Sequence, residues 1–453
     1  MKLGVVILAA GQGTRMKSSL PKVLHTLAEK PLLGHVIDTA RHTGAERIAV
    51  VYGHGGLQVP ESFPDSDLVW VEQAQQLGTG HAVEQALPAM QGMDRVLILY
   101  GDVPLIGGET LIALQQACSS SALALLTVVL DDPTGYGRIV RDDQRRIQCI
   151  VEQKDANVDE QAVREINTGI MLVEGAKLER WIGLLENDNA QREFYLTDIV
   201  AMAVSEGIAV QSTQPQDPYE VMGVNDKLQL AQLERHLQQM RCEALLRAGV
   251  TMRDPARVDI RGRLTAGRDV ELDVNVIIGG DVQIGDGVKV GANTVIRNSR
   301  IGSGVQIFEN SVIEDAVVAE GCRIGPFARL RPGADLAADV HIGNFVEIKK
   351  SQVDVGSKIN HLSYIGDCTI GKKVNIGAGT ITCNYDGVNK HRTVIEDNVF
   401  IGSDTQLVAP VKVGAEATVG AGSTITRDVA PDSLALSRCK QIGRVGWKKP
   451  QKR

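Results

Sequence analysis

Residues 395–425 read IEDNVF IGSDTQ LVAPVK VGAEAT VGAGST I, with Ile395, Ile401, Leu407, Val413, Val419 and Ile425 each opening a group of six. The same step runs upstream through Ile301, Ile307 and Ile313, and again through Ile324, Leu330, Leu336, Ile342 and Ile348. Single five-residue steps join these runs, from Ile313 to Val318 and from Ile348 to Val353. Glycine often follows the apolar residue, as in Ile284-Gly285, Val290-Gly291, Ile342-Gly343 and Ile401-Gly402. A period of six fits neither a helix nor an alternating strand. It is the signature of a hexapeptide β-helix, in which three hexads make one triangular coil. One coil buries too little apolar surface to offset the ordering of its backbone, so the repeat has to be long. From Leu264 to Ile425 the expectation is about nine coils of ~18 residues.

The chain has 453 residues, a net charge of −7 and 43% hydrophobic residues, which predicts two or three domains. Without a basic surplus, no nucleic-acid partner is expected, and the basic tail Arg444–Arg453 reads as solvated. The apolar start Met1–Ala10 runs straight into a Gly-rich loop without a cleavage-site context, so no signal peptide is expected. No apolar run reaches the length of a membrane span. The seven cysteines are scattered and form no C-x-x-C pair. They predict a cytoplasmic protein with neither a zinc site nor a disulfide framework.

In the N-terminal half, apolar segments Val5–Leu8, Ile48–Tyr52, Val69–Val71, Val96–Tyr100 and Ala122–Val129 read as strands. Helix-like segments Leu32–Thr43, Ala82–Ala89 and Thr110–Cys118 separate several of them. That alternation predicts an α/β domain with a mostly parallel sheet, whose ligands bind at the carboxyl ends of the strands. The loop Gly11-Gln12-Gly13-Thr14-Arg15-Met16 leaves the first strand there. Met16 stands where a dinucleotide fingerprint needs its third glycine, and no Gly-Lys-Ser/Thr makes it a P-loop. A Gly-rich turn still brings backbone N–H groups to phosphates, and Arg15 and Lys22 supply cations for charge on a transferred group. Asp102, directly after Tyr100-Gly101, is a carboxylate at a strand end, suited to Mg²⁺ held by few protein groups plus phosphates. Pro60 and Pro64 within Leu57–Asp67 leave the local structure there open. From Asn225 to Gly249, Leu230, Leu233, Leu237, Met240 and Ala244 recur at helical spacing and predict one long connecting helix.

Regular coils need few conspicuous polar groups, yet a cluster spans 329–405. It contains Arg329-Leu330-Arg331, Glu347-Ile348-Lys349-Lys350, Asn360-His361-Leu362-Ser363-Tyr364 and Asn375-Ile376-Gly377-Ala378. The hexad step then breaks at Cys383–Lys390, which reads as a loop extruded from the coil. Whole-hexad spacing places these groups near one groove. His361 is the acid–base candidate, because an amine must lose a proton before it attacks an acyl group. Arg331 and Lys349 suit a sugar phosphate, and Glu347 suits orienting the imidazole or the amine.

The spacing Leu8-Ala9-Ala10-Gly11-x-Gly13-Thr14-Arg15-Met16…Pro21-Lys22 resembles the signature of sugar-phosphate nucleotidyltransferases. The C-terminal half resembles the hexapeptide-repeat acyltransferases that use acetyl-coenzyme A, which are left-handed parallel β-helices. Together, and over essentially the whole chain, they resemble the bacterial family that pairs glucosamine-1-phosphate acetyltransferase with N-acetylglucosamine-1-phosphate uridylyltransferase activity. The resemblance implies three parts: a nucleotidyltransferase domain at 1–226, a linker helix at 227–249 and an acetyltransferase domain at 250–453. It implies UTP and product contacts from Leu8, Ala9, Ala10, Gly11, Lys22, Tyr100, Gly101 and Asp102, with Gln73, Gly78 and Thr79 on uracil. Gly137, Glu152 and Asn167 match the sugar-binding set, and Asn225 joins Asp102 on Mg²⁺. In the second half it makes His361 the base and gives the sugar phosphate Arg331, Lys349, Tyr364 and Asn375. Ala378, Asn384, Tyr385, Ser403, Ala421 and Arg438 fall to acetyl-coenzyme A. It also implies a homotrimer whose acetyl site is shared between chains, and a product, UDP-N-acetylglucosamine, that feeds peptidoglycan and lipopolysaccharide synthesis. The alternative is a monofunctional nucleotidyltransferase whose β-helix is regulatory or a pure scaffold. It predicts no base and no coenzyme site, against His361 and the Asn384-Tyr385 loop.

Overall fold

A computed structural model describes residues 1–449; residues 450–453 of the basic tail lie outside the described residues. The chain divides into two compact units, Met1–Leu237 and Gln238–Arg453.

The first unit is built on a nine-stranded sheet. Its main path runs Gln211–Thr213, Leu123–Val129, Glu165–Glu174, Arg95–Tyr100, Leu3–Leu8, Arg47–Tyr52, Leu68–Glu72. Along this path all neighbours are parallel except Glu165–Glu174, which is antiparallel to both of its neighbours; off the path, Arg138–Arg141 pairs antiparallel with it and with Ile147–Val151. Alternate side chains of the first strand enter separate cores: Val5 and Ile7 on one face, Val6 and Leu8 on the other. That two-sided burial explains the near-continuous apolar runs. The chain moves outward from Leu3–Leu8 to two strands on one side, then returns to Arg95–Tyr100 on the other. The gap between their carboxyl ends is the sheet's switch point, where α/β folds place ligands. In the segment with Pro60 and Pro64, a short helix forms at Gln58–Glu61.

The predicted connecting helix spans Lys227–Arg247, but its buried stripe is not the one predicted. Leu233 and Leu237 are buried in the first unit's residues, whereas Met240 and Ala244 are exposed. From Gln238 onward the helix buries Gln238 and Cys242 in the second unit. Gln238 accepts from Ile260 N at 2.6 Å and donates to Ile260 O at 3.1 Å. The stripe shifts because the two ends pack on different units.

The second unit is a parallel β-helix of short strands. Positions on the 11-strand wall recur after 17 or 18 residues, as in Lys289↔Gln306 and Arg323↔His341. Every predicted hexad residue from Ile301 to Ile425 is buried. The stack is longer than expected: strands continue the wall from Thr251–Met252 to Leu434–Ala435. Those end coils keep the same step of six, with Met252 and Val258 leading into Leu264 and with Val429 followed by Ala435, so the repeat extends beyond the expected limits at both ends. One hexad position is polar: Thr382 is fully buried, and its hydroxyl accepts from Gly366 N (2.7 Å) and donates to Gly366 O (3.1 Å). The wall position then recurs only after 25 residues, Asn375↔Phe400, which accommodates the predicted extruded loop. One column of corners adopts left-handed backbone at Asn275, Asn293, Asn310, Phe327, Phe345 and Leu362. Asparagine tolerates that conformation, and here its side chains also form a ladder, Asn275 to Asn293 at 2.8 Å. Phe327, Phe345 and Leu362 are exposed exceptions, with the two phenyl rings stacked at 5.2 Å.

Candidate active sites

In the first unit, the switch point opens into a cavity of about 520 Å³. Predicted residues Leu8, Ala9, Ala10, Gly11, Lys22, Gln73, Gly78, Thr79, Tyr100 and Asp102 line it. Gly101 lies at its floor, donating to Leu8 O at 2.9 Å. Gly13 has φ +61 and packs where a Cβ would stand 2.7 Å from Lys22 Cβ, so a left-handed glycine brings the lysine into the loop. The Lys22 ammonium pairs with the Asp102 carboxylate and lies 3.4 Å from Asn225 Oδ1. Two oxygens from segments 80 and 203 residues away thus converge on one cation position. A carboxylate and an amide oxygen sharing one cation are a donor set that fits Mg²⁺, with phosphates supplying the remaining ligands. Arg15 is exposed at the loop and interacts electrostatically with Tyr136.

Gln73 is 3% exposed, and its amide nitrogen is engaged by Gly78 O at 3.1 Å and His81 Nδ1 at 3.0 Å. That arrangement fixes which end of the amide is the acceptor. The residues expected at the sugar come together, with Glu152 acting electrostatically on Tyr100. Asn167 N donates to Gly137 O at 2.8 Å, and a Cβ on Gly137 would stand 3.3 Å from Glu152 Oε1. Gly169, at φ +84, lets the Tyr100 ring approach where a Cβ would be 2.4 Å from it. Burial pushes the Glu152 carboxyl above its ordinary range, Thr197 opposes this by hydrogen bonding, and Asp155, Asp198 and Glu193 add to it. Sequence reading missed Gln12, Gln76 and Glu193, which also line the cavity; Gln12 donates to Gln76 at 3.0 Å. None of the three belongs to a motif position singled out in the sequence.

In the second unit, His361 stands on the corner column of the β-helix. Its Nδ1 lies 2.9 Å from Asn344 Oδ1, the residue directly opposite on the preceding coil. Glu347, expected near the imidazole or the amine, instead holds Arg331 at 2.8 Å. On the adjoining wall, Lys349 pairs with Gly366, and the Tyr364 ring lies over that glycine, where a Cβ would be 2.4 Å from the hydroxyl. Lys390, carried back by the extruded loop, was not predicted as a site residue. Lys349 pushes its ammonium below the ordinary value, through hydrogen bonding and like charge, while Asp367 and Tyr364 act the other way. Two ammonium groups crowded together favour an anion between them.

The loop is fixed at its base by Asn384, 7% exposed, which donates to Asp367 at 2.5 Å. At its turn Asp386 accepts from Val388 N and Asn389 N and pairs with His391. Tyr385 is exposed beside it. The residues expected at acetyl-coenzyme A climb the His361 column. Gly379 N donates to His361 O (3.3 Å), Asp404 N to Ala378 O (2.7 Å), Gly422 N to Ser403 O (2.8 Å) and Arg438 Nη1 to Ala421 O (2.8 Å). Asn375 lies on the wall of the His361 strand, opposite Lys358, rather than among Arg331, Lys349 and Tyr364.

Residues 5–156 match the MobA-like NTP transferase domain, 260–353 the GMPPB C-terminal domain, and 392–427 the bacterial transferase hexapeptide of six repeats. The fold and its two sites thus define a two-domain transferase that combines a nucleotidyltransferase with a hexapeptide-repeat unit. Bifunctional protein GlmU of Azoarcus sp. (strain BH72) is 59% identical over 448 residues, covering 99% of each chain. Bifunctional protein GlmU of Nitrosospira multiformis is 56% identical over 453 residues, covering 100% of this chain and 98% of its own. The chain belongs to the GlmU family of bifunctional proteins. Among solved structures, HddC from Yersinia pseudotuberculosis aligns with a TM-score of 0.40 at 19% identity, over 52% of this chain and 99% of its own.

Proposed function

We propose how the two sites divide the work of a bifunctional enzyme that makes UDP-N-acetylglucosamine in two steps. The C-terminal unit transfers acetyl from acetyl-coenzyme A to the amine of glucosamine-1-phosphate. The N-terminal unit then joins N-acetylglucosamine-1-phosphate to UTP and releases pyrophosphate. The observation that carries the reading is the coexistence, in one chain, of a cation position between two oxygens in a nucleotide-sized cavity and an imidazole beside a crowded cationic corner.

At the acetyl site, Arg331, Lys349, Tyr364 and Lys390 hold the sugar phosphate. His361 Nε2 takes the proton of the amine as its nitrogen attacks the thioester carbonyl. Asn384 and Tyr385, with Ala378, Ser403, Ala421 and Arg438, form the coenzyme side. Asn375 reaches the substrate in a cleft completed by a neighbouring copy, which makes the working enzyme a homotrimer. The exposed Phe327, Phe345 and Leu362 corner beside His361 supports that arrangement.

At the uridylyl site, the amide oxygen of Gln73 accepts from uracil N3–H, with Gly78 and Thr79 beside the base. Glu152 and Asn167 engage the sugar hydroxyls next to Gly137. The sugar's phosphate oxygen attacks the α-phosphorus in line, and Arg15, Lys22 and the Gly11–Gly13 amides stabilise the charge on the transferring group. Asp102 and Asn225 would hold Mg²⁺, which supplies further charge neutralisation on the triphosphate. Incubation with glucosamine-1-phosphate, acetyl-coenzyme A, UTP and Mg²⁺ tests the reading by product mass. Failure to form UDP-N-acetylglucosamine refutes it. Chain truncated after Gly249 is expected to keep uridylyl transfer and lose acetyl transfer.

A further inference from the structure

The base proposed above has a partner that no motif reading supplied. His361 Nδ1 and Asn344 Oδ1 lie 2.9 Å apart, and an amide oxygen accepts without donating, so the proton between them belongs to Nδ1. The neutral ring then carries its lone pair on Nε2. Asn344 grips the same corner a second time through its backbone, because Leu362 N donates to Asn344 O at 3.1 Å. The two residues are in register on neighbouring coils. The imidazole is thereby fixed in rotation and in tautomer from one residue.

We infer that Asn344 is the positioning residue of acetyl transfer, setting the His361 tautomer that exposes Nε2 as the base; this rests on the acetyltransferase reading above. An amide does this without the cost that a carboxylate brings. A carboxylate at the same distance favours the imidazolium, which cannot accept the proton of the amine. His341, on the Asn344 strand, interacts electrostatically with His361 and is itself acted on by Arg323 and Lys358. In the step itself a C–N bond forms at the thioester carbonyl carbon and the C–S bond breaks, the electron pair leaving on sulfur. Nε2 takes the amine proton, and the departing thiolate is protonated in turn. Throughout, Nδ1–H stays on the amide oxygen, which also stabilises the imidazolium.

The test uses the full chain with Asn344→Ala, Asn344→Asp and His361→Ala, following thiol release against pH. Uridylyl transfer with pre-acetylated sugar phosphate serves as the folding control and is unchanged in all three. Asn344→Ala is expected to lower kcat on the order of 10- to 1,000-fold, within the range that a positioned base supplies, while KM for glucosamine-1-phosphate stays within about twofold. Asn344→Asp is expected to recover rate at high pH, with the acid limb of its profile moved upward. Nitrogen NMR of histidine-labelled enzyme is expected to show His361 with Nδ1 protonated, and to lose that preference in Asn344→Ala. Wild-type kcat in Asn344→Ala, or an unshifted acid limb in Asn344→Asp, overturns the positioning role. Full acetyl transfer by His361→Ala overturns the base assignment beneath it, a separate result.

Discussion

Replacing Gly366 by alanine is expected to disable sugar-phosphate binding at the acetyl site while leaving the coil intact. A Cβ there would stand 2.4 Å from the Tyr364 hydroxyl, 2.7 Å from its Cζ and 2.8 Å from Asn384 Nδ2. These are side-chain ends, so they swing aside rather than push the backbone. The backbone of Gly366 also lies outside the left-handed region, so alanine adds no strain of its own. The stability cost is therefore expected below about 1 kcal/mol, as for substitutions that relax locally. Displacing Tyr364 removes the hydrogen bond proposed above to the charged phosphate, an interaction of roughly 1.5–3 kcal/mol. At 1.4 kcal/mol per decade this lowers kcat/KM for glucosamine-1-phosphate about 10- to 150-fold. Thiol-release kinetics measure the effect, with thermal unfolding and uridylyl transfer as controls, both unchanged. Tyr364→Phe should reproduce part of the loss. Wild-type kcat/KM in Gly366→Ala would refute the placement of Tyr364 on the phosphate.

Asp102→Asn is expected to abolish uridylyl transfer and leave thiol release untouched, because it removes the carboxylate of the cation position; paired assays on one preparation check it. Thr382→Val conserves shape but leaves the buried Gly366 N–H without its 2.7 Å acceptor, at a cost of about 1–3 kcal/mol read from the urea midpoint of the second unit. Glu152 has its carboxyl raised by burial, so the folded unit binds this proton more tightly than the unfolded chain. Its contribution to stability then falls as pH rises from the ordinary glutamate value through the raised one, and Glu152→Gln should flatten that part of the melting-temperature profile. Phe345, 55% exposed in a left-handed corner, is expected to lie between copies; Phe345→Glu should give monomers by sedimentation, lose acetyl transfer and keep uridylyl transfer. A monomer that acetylates normally would refute the shared site.

The fold was legible because a β-helix writes each coil as a fixed step of apolar residues. The six-residue series from Ile301 to Ile425 therefore marks its inner wall without further information. The end coils, from Thr251 and up to Ala435, lie outside the expected range although the same step of six continues there, through Met252 and Val258 at one end and Val429 and Ala435 at the other. The helix stripe at Met240 and Ala244 failed because periodicity assumes one packing partner, and this helix has two. Residues whose chemistry is charged and whose motif is local, such as Lys22, Asp102 and His361, were visible. Asn344 and Thr382 were not, since an asparagine near a corner and a threonine in a strand are both ordinary. Their roles depend on residues 16 to 18 positions away.

The two units solve the problem of gathering distant residues in opposite ways. In the first, Lys22, Asp102 and Asn225 come from three segments separated by 80 and 203 residues from the lysine and meet only through the fold of the whole unit. In the second, stacking does the gathering: Asn344, His361 and Ala378 are successive occupants of one corner, held by backbone bonds that the coil makes anyway. The proposed base His361 and the Asn344 proposed to orient it then need no loop between them, only the same place on adjacent coils. Function enters such a scaffold where the repeat is broken. The polar Thr382 in the apolar column and the long step to Phe400 release the Asn384–Lys390 loop without disturbing the coils on either side. The wall register resumes at Ile401, so the loop is free to vary in its chemistry while the corner that holds His361 stays fixed. By the same logic, shortening that loop should remove acetyl transfer and leave the stability of the stack nearly unchanged.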